Sequence, residues 1–157
     1  MGKIERKYLA HFLEVSDGVF ERLGKDLTEF RAEMSARVET GRNILGQTNV
    51  VISGYEKTAA VEPYYAEAGS ALFEKLQSII DGDLVLDALK CRMVEVKLWD
   101  GSMEDGYPAI AEEVYLEVGS YGGDVNGYQI PFTIHYTGNK VKGKFLPGSL
   151  VFTEDKA

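Results

Sequence analysis

"SYGGDVNGYQIPFTIHY", residues 120–136, holds three glycines and two polar turn residues that run straight into an alternating strand. A Gly-rich stretch beside a strand is either a phosphate cradle or a turn. The cradle needs a helix after the glycines and the spacing G-x-G-x-x-G. Here the glycines stand at 119, 122, 123 and 127, and a strand pattern follows. No P-loop lysine is present. The nucleophile elbow G-x-S-x-G also fails around Ser120, because Val118 occupies its first glycine position. The stretch therefore predicts a turn. Asn126-Gly127 supplies the positive φ that a tight turn demands. The strand after it points Ile130, Phe132, Ile134 and Tyr136 inward and Gln129, Thr133 and His135 outward.

The same period of two runs through the rest of the chain. Over residues 27–38, Glu29, Arg31, Glu33, Ser35 and Arg37 alternate with less polar neighbours, which predicts one long strand with a wet face. Residues 48–61 predict the next strand, with Gly54 marking a bulge or bend. The segment between them, residues 39–49, is long for a hairpin loop. Residues 90–99 and 109–118 predict two more strands, with Val94, Val96 and Leu98 on one face and Val114, Leu116 and Val118 matching it. Thr137 to Lys140 predicts a tight turn into a strand over 141–145. An N-terminal hairpin is expected around Ser16-Asp17-Gly18. One helix is clear, in "SALFEKLQSIIDG". Ser70 is its N-cap, Gly82 its stop, and Leu72, Leu76, Ile79 and Ile80 its apolar stripe. The expected fold is one domain over residues 1–157, mainly β: a two-sheet sandwich or open barrel flanked by one α-helix.

Composition narrows the function. The chain has 157 residues and a net charge of −8. From Leu98 to Asn139 there are seven acidic side chains and no Lys or Arg. Such a surface lacks the cations that grip phosphates. Cys91 is the only cysteine, so no intrachain disulfide or Cys-rich zinc site is expected. The start of the chain has no leader-like apolar run, and a soluble protein made inside the cell is expected. "DGDLVLD" fails the EF-hand pattern at its fifth and sixth positions. His135 reads as a surface residue and His11 is ambiguous. Glu113 and Glu117 read as a solvated acidic face. Lys140, Lys142 and Lys144 form a basic stripe, either an edge-strand guard or half of a charged interface. No catalytic residue, metal site or cofactor site is expected.

Two blocks carry a resemblance: "GYEKTAAVEPYYAEAGSALFEKLQSIID" (54–81) and "SYGGDVNGYQIPFTIHYTGNKVKGKF" (120–145). In this order they resemble the major tail tube proteins of long-tailed bacteriophages and prophages of Gram-positive hosts. The resemblance implies a β-sandwich with one helix, hexameric rings, and stacked rings forming a hollow tail tube. It implies as partners further copies of the chain, the tape-measure protein, and the tail terminator and distal tail proteins. DNA would pass through without specific binding, and no membrane is involved. The place implied is the virion tail, assembled in the host cytoplasm. In the family a long loop reaches neighbouring subunits and the next ring. Here it maps onto Glu39, Thr40, Gly41, Arg42, Asn43, Ile44, Leu45, Gly46, Gln47, Thr48 and Asn49. Side chains of mixed sign on Glu29, Arg31, Glu33, Ser35 and Arg37, with Glu56, Thr58 and Glu62, are the expected lumen face. Two other classes fit the residues: a tube of a contractile or secretion-type injection apparatus, and a small-ligand-binding β-barrel or enzyme.

Overall fold

The computed structural model describes residues 2–155. In chain order the strands are β1 (Leu9–Ser16), β2 (Val19–Arg22), β3 (Ala32–Glu33), β4 (Ala36–Arg42), β5 (Thr48–Tyr55) and β6 (Thr58–Val61). After the helix α1 (Ala71–Gly82) come β7 (Lys90–Lys97), β8 (Tyr107–Val118), β9 (Gly122–Asp124), β10 (Gly127–Gln129), β11 (Phe132–Leu146) and β12 (Val151–Glu154). Among the described residues the chain is mainly β with one α-helix. Eight strands share one antiparallel sheet in the order β2-β1-β7-β8-β11-β6-β3, with β12 also on β11. β4 with β5 and β9 with β10 form two separate ribbons.

The sheet branches because β11 is long enough for two partners on one side. It pairs with β6 over Phe132 to His135 and with β12 over Gly143 to Leu146. Its other side pairs with β8 along most of its length. The tight turn expected at Thr137 to Lys140 is instead a bulge inside this strand. Register passes from Tyr136↔Val114 to Lys140↔Glu112, so the extra residues sit on β11. Gly138 takes φ +87° there, its N–H donates to Glu112 Oε2 (2.9 Å), and the Thr137 hydroxyl donates to the Glu113 carbonyl (2.8 Å). These bonds satisfy the bulged backbone, so the chain continues rather than reversing.

Two apolar clusters lie on opposite faces of the sheet. On one face Leu72, Leu76 and Ile79 of α1 pack with Leu13, Met93, Val114, Leu116 and Ile134. On the other, Ala10, Phe12, Val94, Val96, Ala109, Ala111 and Phe145 cluster. Register accounts for the split, since Val94 pairs with Ala111 and Cys91 with Val114. Val94, Val96 and Leu98 therefore face away from Val114, Leu116 and Val118, contrary to the expected match. Strands buried on both sides defeat a reading that assumes one wet face.

The second cluster also shows that the sheet curls. Phe20 on β2 and Phe145 on β11 are four strand positions apart, which is roughly 19 Å in a flat sheet. Their ring centroids are 5.4 Å apart, and Phe12 lies 4.6 Å from the same ring. No leaning of side chains spans such a gap, so the sheet closes around Phe145 as an open barrel.

α1 has the cap expected for it: Ser70 Oγ accepts from the Phe73 N–H (3.2 Å). Such a cap is worth about 1 kcal/mol. Glu21 of β2 reaches the same helix end, accepting from the Ser70 hydroxyl (2.5 Å), where a negative charge is favourable. The left-handed stop is Asp83 (φ 47°), one residue beyond the expected Gly82. The N-terminal hairpin β1–β2 turns through Gly18 at φ +76°. β9–β10 turns through residues 125–126, so the opening stretch is a hairpin. Its inward residues are as expected: Ile130, Phe132 and Ile134 are buried and Tyr136 packs on them.

Candidate assembly surface

The long strand expected over residues 27–38 does not form. Residues 27–31 carry no strand, β3 has two residues, and Ser35 adopts φ 43° before β4 begins. A non-glycine residue in the left-handed region is uncommon and marks a true break in direction. The partner segment breaks at the same level, between β5 and β6. Ala32↔Ala59 and Glu33↔Thr58 pair below the break, the Glu56 N–H donates to the Ser35 carbonyl (3.1 Å) at it, and Ala36↔Tyr55 pairs above it. The β4–β5 ribbon is thus the edge ladder of the main sheet, bent at Ser35 and carried on as an arm.

Most of the segment expected as a long loop belongs to this arm. Glu39 to Arg42 are on β4, Thr48 and Asn49 are on β5, and only residues 43–47 form the turn. Asn43 builds it: its Oδ1 accepts from the Leu45 and Gln47 N–H groups, and its amide donates to Gln47 Oε1. Register slips by one residue at Ser53, beside Gly54, where the sequence indicates a bulge.

The arm touches no core. Every residue of β4 is exposed, as is every residue of β5 except Gly54. Val38, Thr40, Val50 and Ile52 share one face by pairing, and Arg37, Glu39, Asn49 and Val51 the other. At the tip, Ile44 is fully exposed and Leu45 75% exposed. An isolated two-stranded hairpin is marginal in water, and clustered exposed apolar side chains mark interaction surfaces.

The expected lumen residues divide. Glu29 and Arg31 lie outside any strand and pair with each other (3.1 Å). Ser35 is the hinge. Arg37 pairs with Glu56 (3.9 Å) across the arm's base. Glu62 is exposed just past β6. Glu33 and Thr58 are brought together, and cross-strand pairing continues to His135 and Tyr115 on the sheet face opposite α1. On that face His135 sits 2.5 Å from Glu117, Lys90 pairs with Glu113 (3.5 Å), and Arg92 with Glu14 (3.0 Å). The polar wall is real, but alternation along residues 29–37 does not build it. Neighbouring strands do. The Lys140, Lys142 and Lys144 stripe is exposed on β11, an interior strand, so it guards no edge.

Sequence reasoning missed a polar cluster at the arm's root. Lys57 follows β5, and its ammonium lies 3.7 Å from buried Glu112 on β8 and 4.4 Å from the Tyr136 ring. His11, also buried, donates from Nε2 to Glu95 Oε1 (3.1 Å) and meets Phe30 edge-on. Nothing in the spacing announces these pairs, because each joins strands remote in sequence. Burial pushes the Tyr136 hydroxyl well above its ordinary range.

Replacing Lys57 with Met leaves Glu112 without its cation. We expect a loss of about 2–3 kcal/mol by urea denaturation, below the cost of breaking a fully buried pair. A fifth of the Lys57 side chain reaches water. The His11 hydrogen bond outweighs desolvation and holds the Glu95 carboxyl below its ordinary 4.5. A depressed folded-state pKa gives stability that is full above the unfolded value and lost as pH falls through the folded one. The stability gap between wild type and Glu95→Gln is therefore expected to narrow as pH drops below 4.5.

One cleft lies where β2 meets α1, lined in part by Glu21, Tyr64 and Ser70. Burial pushes the Tyr64 hydroxyl up to about 12, and Glu21 is engaged at the helix cap. These groups tie the helix to the sheet. Cys91 is buried, which pushes its thiol up to about 12. No protein-family model and no curated protein matches the sequence.

Proposed function

We propose that this chain is a structural subunit of a phage tail tube. Copies would assemble into hexameric rings, and rings would stack into a conduit for DNA in the virion tail. The observation that carries this reading is the arm. A two-stranded ribbon exposing Val38, Val50, Val51, Ile52, Ile44 and Leu45 has no partner within its own fold, and pairing with another copy is how such a surface becomes stable. Two further features support it. β2 and β3 leave open sheet edges, which ring closure would pair. The polar wall that holds Glu33, Glu113 and Glu117 also holds Lys90 and Arg92, so it mixes both signs of charge and offers passing DNA no continuous cationic track.

Negative-stain microscopy across a concentration series tests this. Rings or tubes with a central hole are the expected result. A chain that stays monomeric at the highest soluble concentration counts against it.

A further inference from the structure

Among the features left over is the turn between β7 and β8. Trp99 and Met103 are 45% and 60% exposed there, beside Asp100, Glu104 and Asp105. Among the described residues, none of these three carboxylates joins an ion pair. The turn is held by its own bonds, with the Asp105 N–H donating to Ser102 Oγ (3.1 Å) and the Gly106 N–H to the Ser102 carbonyl (2.9 Å). It is a preformed apolar knob ringed by negative charge.

Its complement is a cleft of about 530 Å³ beside the end of β2. Leu27 and Phe30 give it an apolar floor, and Arg6, Lys7, Arg22 and Lys25 line its rim. Its one carboxylate, Glu29, is already paired with Arg31. Four cations at one cleft stand out on a chain of net charge −8. Lys7 and Lys25 pair with Glu5 and Glu67, but those pairs are solvent-exposed, and exposed pairs are readily exchanged. A cleft of this size has room for large side chains.

We infer that the acidic turn at residues 99–105 of one copy seats in the basic cleft of the next. This rests on the reading of the chain as a self-assembling subunit. The cleft floor packs on the helix-side core, whereas the turn springs from Leu98 and Tyr107, which pack on the opposite core. The turn starts beside one end of the cleft, since Lys97 pairs with Leu9 and the Leu98 N–H donates to the Tyr8 carbonyl (2.7 Å), but no residue of the turn lines the cleft of its own copy. Repeated from copy to copy without reciprocation, such a contact generates a ring or a helical stack. Trp99 would be its buried anchor, with the opposite charges fixing orientation.

The test uses two charge-reversed variants and the unmodified protein. Asp100→Lys with Glu104→Lys makes the turn net basic; Lys7→Glu with Lys25→Glu removes the net positive charge of the cleft rim and adds two carboxylates to it. Arg6 and Arg22 are left in place because they bond to backbone carbonyls. By sedimentation, each variant alone should need about tenfold or more protein to associate. An equimolar mixture should recover to within about threefold of wild type, since alternating copies are complementary. The chain has one tryptophan, so wild-type emission reports the contact without any substitution and should shift to the blue on assembly. Variants that associate like wild type, a mixture no better than its components, or unchanged emission from assembled wild type would each overturn this contact while leaving the tube reading intact. A wild type that never associates overturns both.

Discussion

Removing residues 39–49 is expected to leave a folded chain that cannot polymerise. The cut suits the register. Val38 pairs with Ile52, so after the deletion only Val50 and Val51 lie between them. Changing these to Asn and Gly makes a two-residue type I′ turn, the connection that matches strand twist. No residue of the arm belongs to either apolar cluster. Surface changes away from the core usually shift stability by less than about 0.5 kcal/mol, so the urea midpoint should hardly move. Sedimentation should then show a monomer at concentrations where the full chain forms rings or tubes. Normal tubes from the shortened chain would remove the arm from the assembly surface, and with it the main support for the proposed function.

Phe145→Ala is expected to be the most damaging single core substitution. The ring is fully buried and lies between Phe12 and Phe20. It joins strands that lie far apart along the sheet, so no local relaxation fills the space it leaves. A loss of about 3–5 kcal/mol is expected, a large part of the roughly 5–15 kcal/mol that holds a domain together. Phe145→Leu should cost clearly less, because the cavity is smaller. Urea denaturation of both variants gives the comparison. Equal, small losses would mean that the curl does not depend on this ring.

The helix was the most legible element. Its cap and stripe depend on residues within a few positions of one another, and local chemistry decides them; its stop fell one residue beyond the expected Gly82. The hairpins at Gly18 and Asn126-Gly127 were legible for the same reason. Alternation was a weaker guide. It correctly placed Ile130, Phe132 and Ile134 in the core, but it joined residues 27–38 into one strand across the kink at Ser35. It also assigned matching faces to Val94 and Val114, which lie on opposite sides of a sheet buried on both.

The candidate site divides along the same line. Residues 39–49 were identifiable as unusual from their length and from Ile44-Leu45, and they do form the tip and flanks of the arm. That they are paired strands, rather than a loop, depends on the register between β4 and β5. Glu33 and Thr58 were legible as polar positions, but their joining with His135 and Glu117 required four strands to be laid side by side. The Lys57–Glu112 and His11–Glu95 pairs carried no sequence signal at all.

Sequence alone determined the β-rich class, the single helix with its cap, the hairpins at Gly18 and at residues 125–126, and the acidic charge balance. Each follows from residue type and short-range spacing, which survive without any knowledge of partners. Only the tertiary structure decided the branched sheet, its curl around Phe145, the bulge at Gly138, the bend at Ser35, and the charged pairs at the arm's root. Each depends on which strand lies beside which, and that is settled by burial and cross-strand pairing over the whole molecule.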